Sequence, residues 1–197
     1  SHFVVESAGH APLAITLNLP GRHNVLNALG AIAVARALEV PDTAIHRALA
    51  AFSGIGRRFQ QLGTLPVLSG EALLMDDYAH HPKEIAAVLE ALRSNWPDRR
   101  LVIAFQPHRY SRTRDLFEDF ARVLGDADVL LISDVYAAGE APISGADARS
   151  LCRAIRLRGQ VDPVFVGSID ELCQLLPGLL DANDVVITLG AGSIGGA

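Results

Sequence analysis

Three largely apolar runs constrain this chain most: 101–105 (Leu-Val-Ile-Ala-Phe), 129–133 (Val-Leu-Leu-Ile-Ser) and 184–189 (Asp-Val-Val-Ile-Thr-Leu). A strand wetted on one side alternates apolar with polar residues, so a run without alternation must be covered on both faces. Stretches with helical spacing precede and separate these runs, at about 82–95, 115–124, 147–158 and 169–176. A short strand at 163–166 and a hairpin-like pair at 62–68 and 72–76, turning at Ser69-Gly70, complete the pattern. Strands alternating with single helices predict an α/β fold with a mostly parallel sheet and helices on both faces.

The first 56 residues differ in character. Two short strands (Phe3 to Val5, Leu13 to Leu17) lead through Pro20-Gly21 into an Ala- and Leu-rich helix over 24–38. Asp42 or Thr43 then caps a second helix through about Phe52. Two strands and two helices bury too little to stand alone, so this region reads as the tail of a domain. Gly54-Ile55-Gly56-Arg57-Arg58 reads as a hinge into the α/β region. The opening Ser1-His2, and an end at Gly195-Gly196-Ala197 where a helix is due, lead us to expect a fragment of a longer protein.

Half of the 197 residues are hydrophobic and the net charge is −5, so no global basic field attracts nucleic acid. No apolar run approaches a membrane span and no signal peptide is visible. Cys152 and Cys173 lie in apolar surroundings without a Cys-x-x-Cys pairing and read as reduced core residues, which points to the cytoplasm.

Positive charge is concentrated locally. Gln106-Pro107-His108-Arg109-Tyr110-Ser111-Arg112-Thr113-Arg114-Asp115 leaves the carboxyl end of a central strand, where open α/β sheets bind ligands. Guanidinium groups hold carboxylates and phosphates through paired hydrogen bonds, so four cationic-capable side chains on one strand-end loop read as an anion site. Asp76-Asp77-Tyr78-Ala79-His80-His81-Pro82 leaves a neighbouring strand and enters a helix at Pro82. An Asp there can accept from ribose hydroxyls, and Tyr78 and His80 can touch a substrate or position an attacking amine. Adjacent His80 and His81 point apart, and no His/Cys cluster has metal spacing. Asn24 and Asn27 lie three apart on one helix; an amide can pair with an adenine edge, but taken alone Asn24 reads better as an N-cap. Arg57-Arg58 reads as solvated linker unless a nucleotide reaches it. Gly190-Ala191-Gly192-Ser193-Ile194-Gly195 is a weak anion-loop signal by itself. The chain contains neither a P-loop nor a Gly-x-Ser-x-Gly elbow.

Gly21 to Ala28, Asp76 to Pro82, Gln106 to Asp115 and the supporting stretch Val135 to Ile143 together resemble the Mur ligases over essentially the whole chain, most closely the branch that joins L-alanine to UDP-N-acetylmuramate. The resemblance implies residues 1–56 as the C-terminal part of a central ATP-binding domain and 57–197 as a Rossmann-like, amino-acid-binding C-terminal domain. It implies ATP as substrate, an acyl-phosphate intermediate, a role in peptidoglycan precursor synthesis, and Mg2+ held by ligands outside this chain. Without a P-loop the piece alone is expected to be inactive. Carried over residue by residue, Asn24 and Asn27 fall at adenine, Arg58 at the γ-phosphate and Asp77 at the ribose. Tyr78, His80, His108, Arg109 and Arg112 fall at the amino-acid pocket, with His80 and His108 as catalytic candidates and Arg109 and Arg112 on the alanine carboxylate. Ser193 departs from the Asn common after Gly-Ala-Gly in the family. The rivals are the related ligase that attaches a recycled tripeptide, a stand-alone nucleotide- or anion-binding module, and an amino-acid-sensing domain.

Overall fold

In the computed structural model, which describes residues 1–196, the sheet is built as its apolar runs require. Strands β3 (Gln60–Val67), β4 (Gly70–Asp77), β5 (Leu101–Phe105), β6 (Val129–Ser133), β7 (Val164–Val166) and β8 (Val185–Leu189) form one six-stranded sheet ordered β3-β4-β8-β5-β6-β7. Only the β3–β4 hairpin is antiparallel; the other four pairings are parallel. Every residue of β5 and of β8 is buried. Alternate residues serve opposite faces. Leu101, Ile103 and Phe105 join a core with the helices α3 (Pro82–Asn95), α5 (Phe117–Val123) and α6 (Ala148–Arg158). Val102 and Ala104 join a second core with α7 (Ile169–Leu175) and the turns after it. That two-sided coverage is why these strands carry no polar alternation. Phe105 is fully buried against Phe120, ring centroids 5.5 Å apart. Phe105→Ala is therefore expected to cost about 3–5 kcal/mol, read as a shifted midpoint in urea denaturation at unchanged slope.

The chain divides into two compact units, Ser1–Ile55 and the part from Gly56 on. In the first, β1 (His2–Val5) and β2 (Leu13–Thr16) pair antiparallel. They share a core of Val5, Ile15, Leu17, Ala28, Ile32 and Ile45 with α1 (Arg22–Ala37) and α2 (Asp42–Ala51). Two details of this unit differ from the sequence reading. Gly21, not Asn24, is the N-cap of α1; Asn24 is buried and its Nδ2 donates to the Pro20 carbonyl at 2.7 Å. Asp42 caps nothing, because both its oxygens accept from the Arg36 guanidinium, at 3.0 and 2.9 Å.

In the second unit the helix expected from about 115 begins five residues earlier, as α4 (Tyr110–Asp115), so Arg112 and Arg114 lie on a helix and not on a loop. The cause is a cap supplied from afar: the Glu140 carboxylate accepts from the Ser111 N–H at 2.9 Å and from its hydroxyl at 2.6 Å. These bonds satisfy donors that a helix start otherwise leaves unpaired. Cys152 is in the core as expected, its thiol pushed up to about 11 by burial. Cys173 is exposed, because α7 buries Leu172 and turns the next residue outward. Among the described residues, no helix is long and apolar enough to cross a membrane.

Candidate functional site

Four loops meet at the carboxyl ends of β4, β8, β5 and β6, and local interactions pin each one. After β4, buried Asp76 accepts from Arg57 Nε at 2.9 Å and from the Thr188 hydroxyl at 2.6 Å. Asp77, also buried, accepts from the Phe59 N–H at 2.6 Å and the Ala79 N–H at 2.7 Å, clasping the turn. Arg57 continues to the Gly190 carbonyl at 2.6 Å, so it fastens the glycine turn to β4. Arg58 is exposed and lies with its Cζ 5.6 Å from the Tyr78 ring centroid. Of the two hinge arginines, then, Arg57 is committed within the fold and Arg58 faces solvent. After β5, the Gln106 amide donates to Ser193 Oγ at 3.2 Å and accepts from the Ile194 N–H at 3.1 Å. A Cβ on Gly192 would run into that amide and into Tyr136, so glycine at this position serves close approach. The β5 and β6 loops are laced by Arg109 N–H to the Tyr136 carbonyl and Tyr136 N–H to the Pro107 carbonyl, both 2.8 Å.

Strain gathers at the same edge. Among the described residues six non-glycine positions have positive φ; Arg109 and Ala138 belong to these loops, and Arg57 and Phe59 to the segment entering β3, which bonds Asp76 and Asp77. Such conformations cost of order 1–3 kcal/mol each and collect where function requires them.

The polar side chains form a row of rings. Tyr78 meets His80 edge-on at 5.2 Å between centroids, His80 meets His108 at 5.8 Å, and His108 stacks on Tyr136 at 5.4 Å. Arg112 Nη1 donates to His108 Nδ1 at 3.2 Å, and Arg109 Nη1 lies 3.5 Å from Glu140. Burial first, then the charges of Arg112, His80 and Arg109, hold the His108 pKa below the ordinary imidazole value. The Ser111 hydroxyl, followed by the Ser111 N–H, holds the Glu140 carboxyl below the usual carboxylate range. The edge therefore presents a neutral imidazole, a second imidazole, two guanidinium groups and two phenols, an arrangement that can grip an anion and handle an amine.

His108 gives a pH prediction. Its folded pKa lies below its unfolded one, so the unfolded chain binds more protons in the interval between. The stability it contributes is complete above about pH 6.5 and is lost as pH falls from there through the folded value. A side-chain NMR titration should place His108 below the midpoint of an unfolded-state histidine; a midpoint at or above it would contradict the environment described.

The structure brings Tyr78, His80, His108, Arg109 and Arg112 to one edge, with Asp77 beneath them and Arg58 beside Tyr78. Asn24 and Asn27 belong to the other unit, where Asn24 is buried and Asn27 exposed. The sequence reading did not single out Glu84, Tyr136, Glu140 or Gln106 individually. Glu84 stands three residues after His81 at the head of α3, a capping-box spacing that was available as a signal. Among the described residues, no group of three His, Cys, Asp or Glu side chains converges to hold a metal ion.

Residues 57–192 match the family model of the Mur ligase, glutamate ligase domain. The chain belongs to the Mur ligase family. Among solved structures, this Mur ligase chain is similar to UDP-N-acetylmuramate–alanine ligase from Thermotoga maritima, 28% identical with a TM-score of 0.70, over 94% of this chain and 37% of that one. It is similar to a murein peptide ligase from Psychrobacter arcticus, 26% identical with a TM-score of 0.68, over 100% of this chain and 40% of that one. Folylpolyglutamate synthase from Mycobacterium tuberculosis, 19% identical with a TM-score of 0.69 over 94% of this chain and 41% of that one, shares the fold. The Mur ligase chain thus spans about two-fifths of the length of each of these relatives.

Proposed function

We propose that this chain is the C-terminal part of an ATP-dependent ligase that joins L-alanine to UDP-N-acetylmuramate. The residues from Gly56 on form its amino-acid-binding domain, and residues 1–55 the end of its ATP-binding domain. The observation that carries this reading is the cationic edge: Arg109 and Arg112 beside two histidines fit an α-amino acid, whose carboxylate needs a guanidinium and whose ammonium must lose a proton. In the proposed reaction ATP converts the muramyl carboxylate to an acyl phosphate, and the alanine nitrogen displaces phosphate. The protein's part is positioning and charge stabilisation. The same reading gives adenine to Asn24 and Asn27, the γ-phosphate to Arg58 and the ribose to Asp77. Magnesium would accompany ATP, and no residue described here is assigned to it.

Similarity to the murein peptide ligase over the entire chain favours one second reading, a ligase that attaches a recycled tripeptide to the same sugar. Phosphate release by the full-length protein, given ATP, magnesium and UDP-N-acetylmuramate, separates the two. Release that depends on L-alanine, exceeding that with glycine or serine, is expected. Release with tripeptide alone moves the chain to the recycling reaction, and none with any amine leaves a binding module.

A further inference from the structure

The two histidines at the cationic edge carry their protons on opposite nitrogens, and their partners leave no choice. His80 Nδ1 lies 2.9 Å from the Tyr78 carbonyl oxygen. A carbonyl only accepts, so Nδ1 carries hydrogen whether the ring is neutral or charged, and the proton that comes and goes at His80 is the one on Nε2. His108 Nδ1 lies 3.2 Å from Arg112 Nη1. A guanidinium only donates, so here Nδ1 presents its lone pair and Nε2 carries the hydrogen. A third side chain orients the first ring. Glu84 Oε2 accepts from the His80 N–H at 3.1 Å and the His81 N–H at 3.2 Å, and stands 3.4 Å from His80 Nδ1.

We propose that His80 is the proton acceptor for the attacking amine, that Glu84 positions it, and that His108 is a neutral hydrogen-bond donor to substrate oxygen. The assignment rests on the ligase reading above. The amine enters as an ammonium. The Nε2 lone pair of His80 takes one proton, and the freed pair on nitrogen bonds to the acyl-phosphate carbon as the carbon–oxygen bond to phosphorus breaks. The nitrogen's second surplus proton leaves with the phosphate as hydrogen phosphate. The charge gained by His80 faces Glu84, with Arg58 near that carboxylate. Its other neighbours are the Tyr78 ring and His108, and His108 is itself flanked by Arg112, Arg109, Glu140 and Tyr136. A neutral His108 spares the new imidazolium a like charge 5.8 Å away.

Nitrogen-15 NMR of the histidine side chains in the full-length protein, without substrate, reads the proton positions directly. At a pH where His108 is neutral, His80 should show a protonated Nδ1 and His108 an unprotonated one. The reverse pattern at either ring overturns the assignment. In kinetics, His80→Ala and His80→Gln should lose kcat by about 10²- to 10⁴-fold with little change in the KM for the amino acid. The residual rate should climb tenfold per pH unit as free amine accumulates; a loss that is flat with pH assigns His80 to structure alone and overturns the proposal. Glu84→Gln keeps an oxygen for the two backbone N–H groups and removes the charge, so it should give a smaller kcat loss without unfolding α3; wild-type kcat would remove Glu84 from the proposal. If the wild-type protein releases no phosphate with any amine, the ligase reading falls and takes the base assignment with it. Reversed proton positions in an active ligase overturn the proposal alone.

Discussion

Arg109→Ala is expected to raise the KM for the amino acid about 10- to 100-fold and to leave the KM for ATP nearly unchanged. Hydrogen bonds to a charged group contribute about 1.5–3 kcal/mol, and about 1.4 kcal/mol corresponds to tenfold. Arg109 suits this role because it is exposed at the mouth of the edge, with Glu140 as its only ion-pair partner among the described residues, a weak one at 3.5 Å. Its backbone sits at φ 72°, and alanine there keeps the same strain that arginine bears, so the comparison isolates the side chain. Lysine should fail to restore affinity, since a point charge cannot offer the paired donors of a guanidinium. Steady-state kinetics of the full-length protein decide the matter: equal rises in both KM values would remove Arg109 from the carboxylate.

The second large effect concerns stability. Asp77→Ala strips the acceptors from the buried N–H groups of Phe59 and Ala79. A buried donor left unpaired costs about 1–3 kcal/mol, so the pair together should cost about 2–6 kcal/mol. Asp77→Asn retains one oxygen and turns an amide donor toward an N–H, so it should fall between wild type and alanine. Urea denaturation checks both, and a midpoint unchanged in Asp77→Ala would show that the turn holds without its clasp. The same loop carries Tyr78 and His80, so loosening it should also dull amino-acid binding, a coupling that the Phe105→Ala core change would not reproduce.

Much of the second unit could be read from residues alone, for a physical reason. Strands buried on both faces are almost wholly apolar, so β5 and β6 have the bounds their sequence indicates. Pro82 likewise marks the first residue of α3. What depends on distant partners could not be read. The start of α4 is set by Glu140, 29 residues after Ser111. The commitment of Arg57 rather than Arg58 follows from Asp76 and Gly190, which meet only in the folded sheet. Cys173 misled because an apolar neighbourhood in sequence does not say which side of a helix faces inward. The polar stretches from Asp76 and from Gln106 were conspicuous because strand ends rarely carry so much charge. Their assembly into a row of rings came from strand order, about which periodicity is silent.

That strand order also dictates when the sheet can finish folding. β8, the last strand of this sheet in chain order, is seated between β4 and β5, where Thr188 bonds Asp76 from 112 residues away. Until it arrives the nascent sheet is two halves with a slot in the middle, each half offering an open edge to any passing strand. Such long-range closure is intrinsically slow. A nascent chain stalled just short of β8 would hold a sticky, unfinished sheet, so β8 acts as a keystone whose late insertion completes the sheet and the row of rings together.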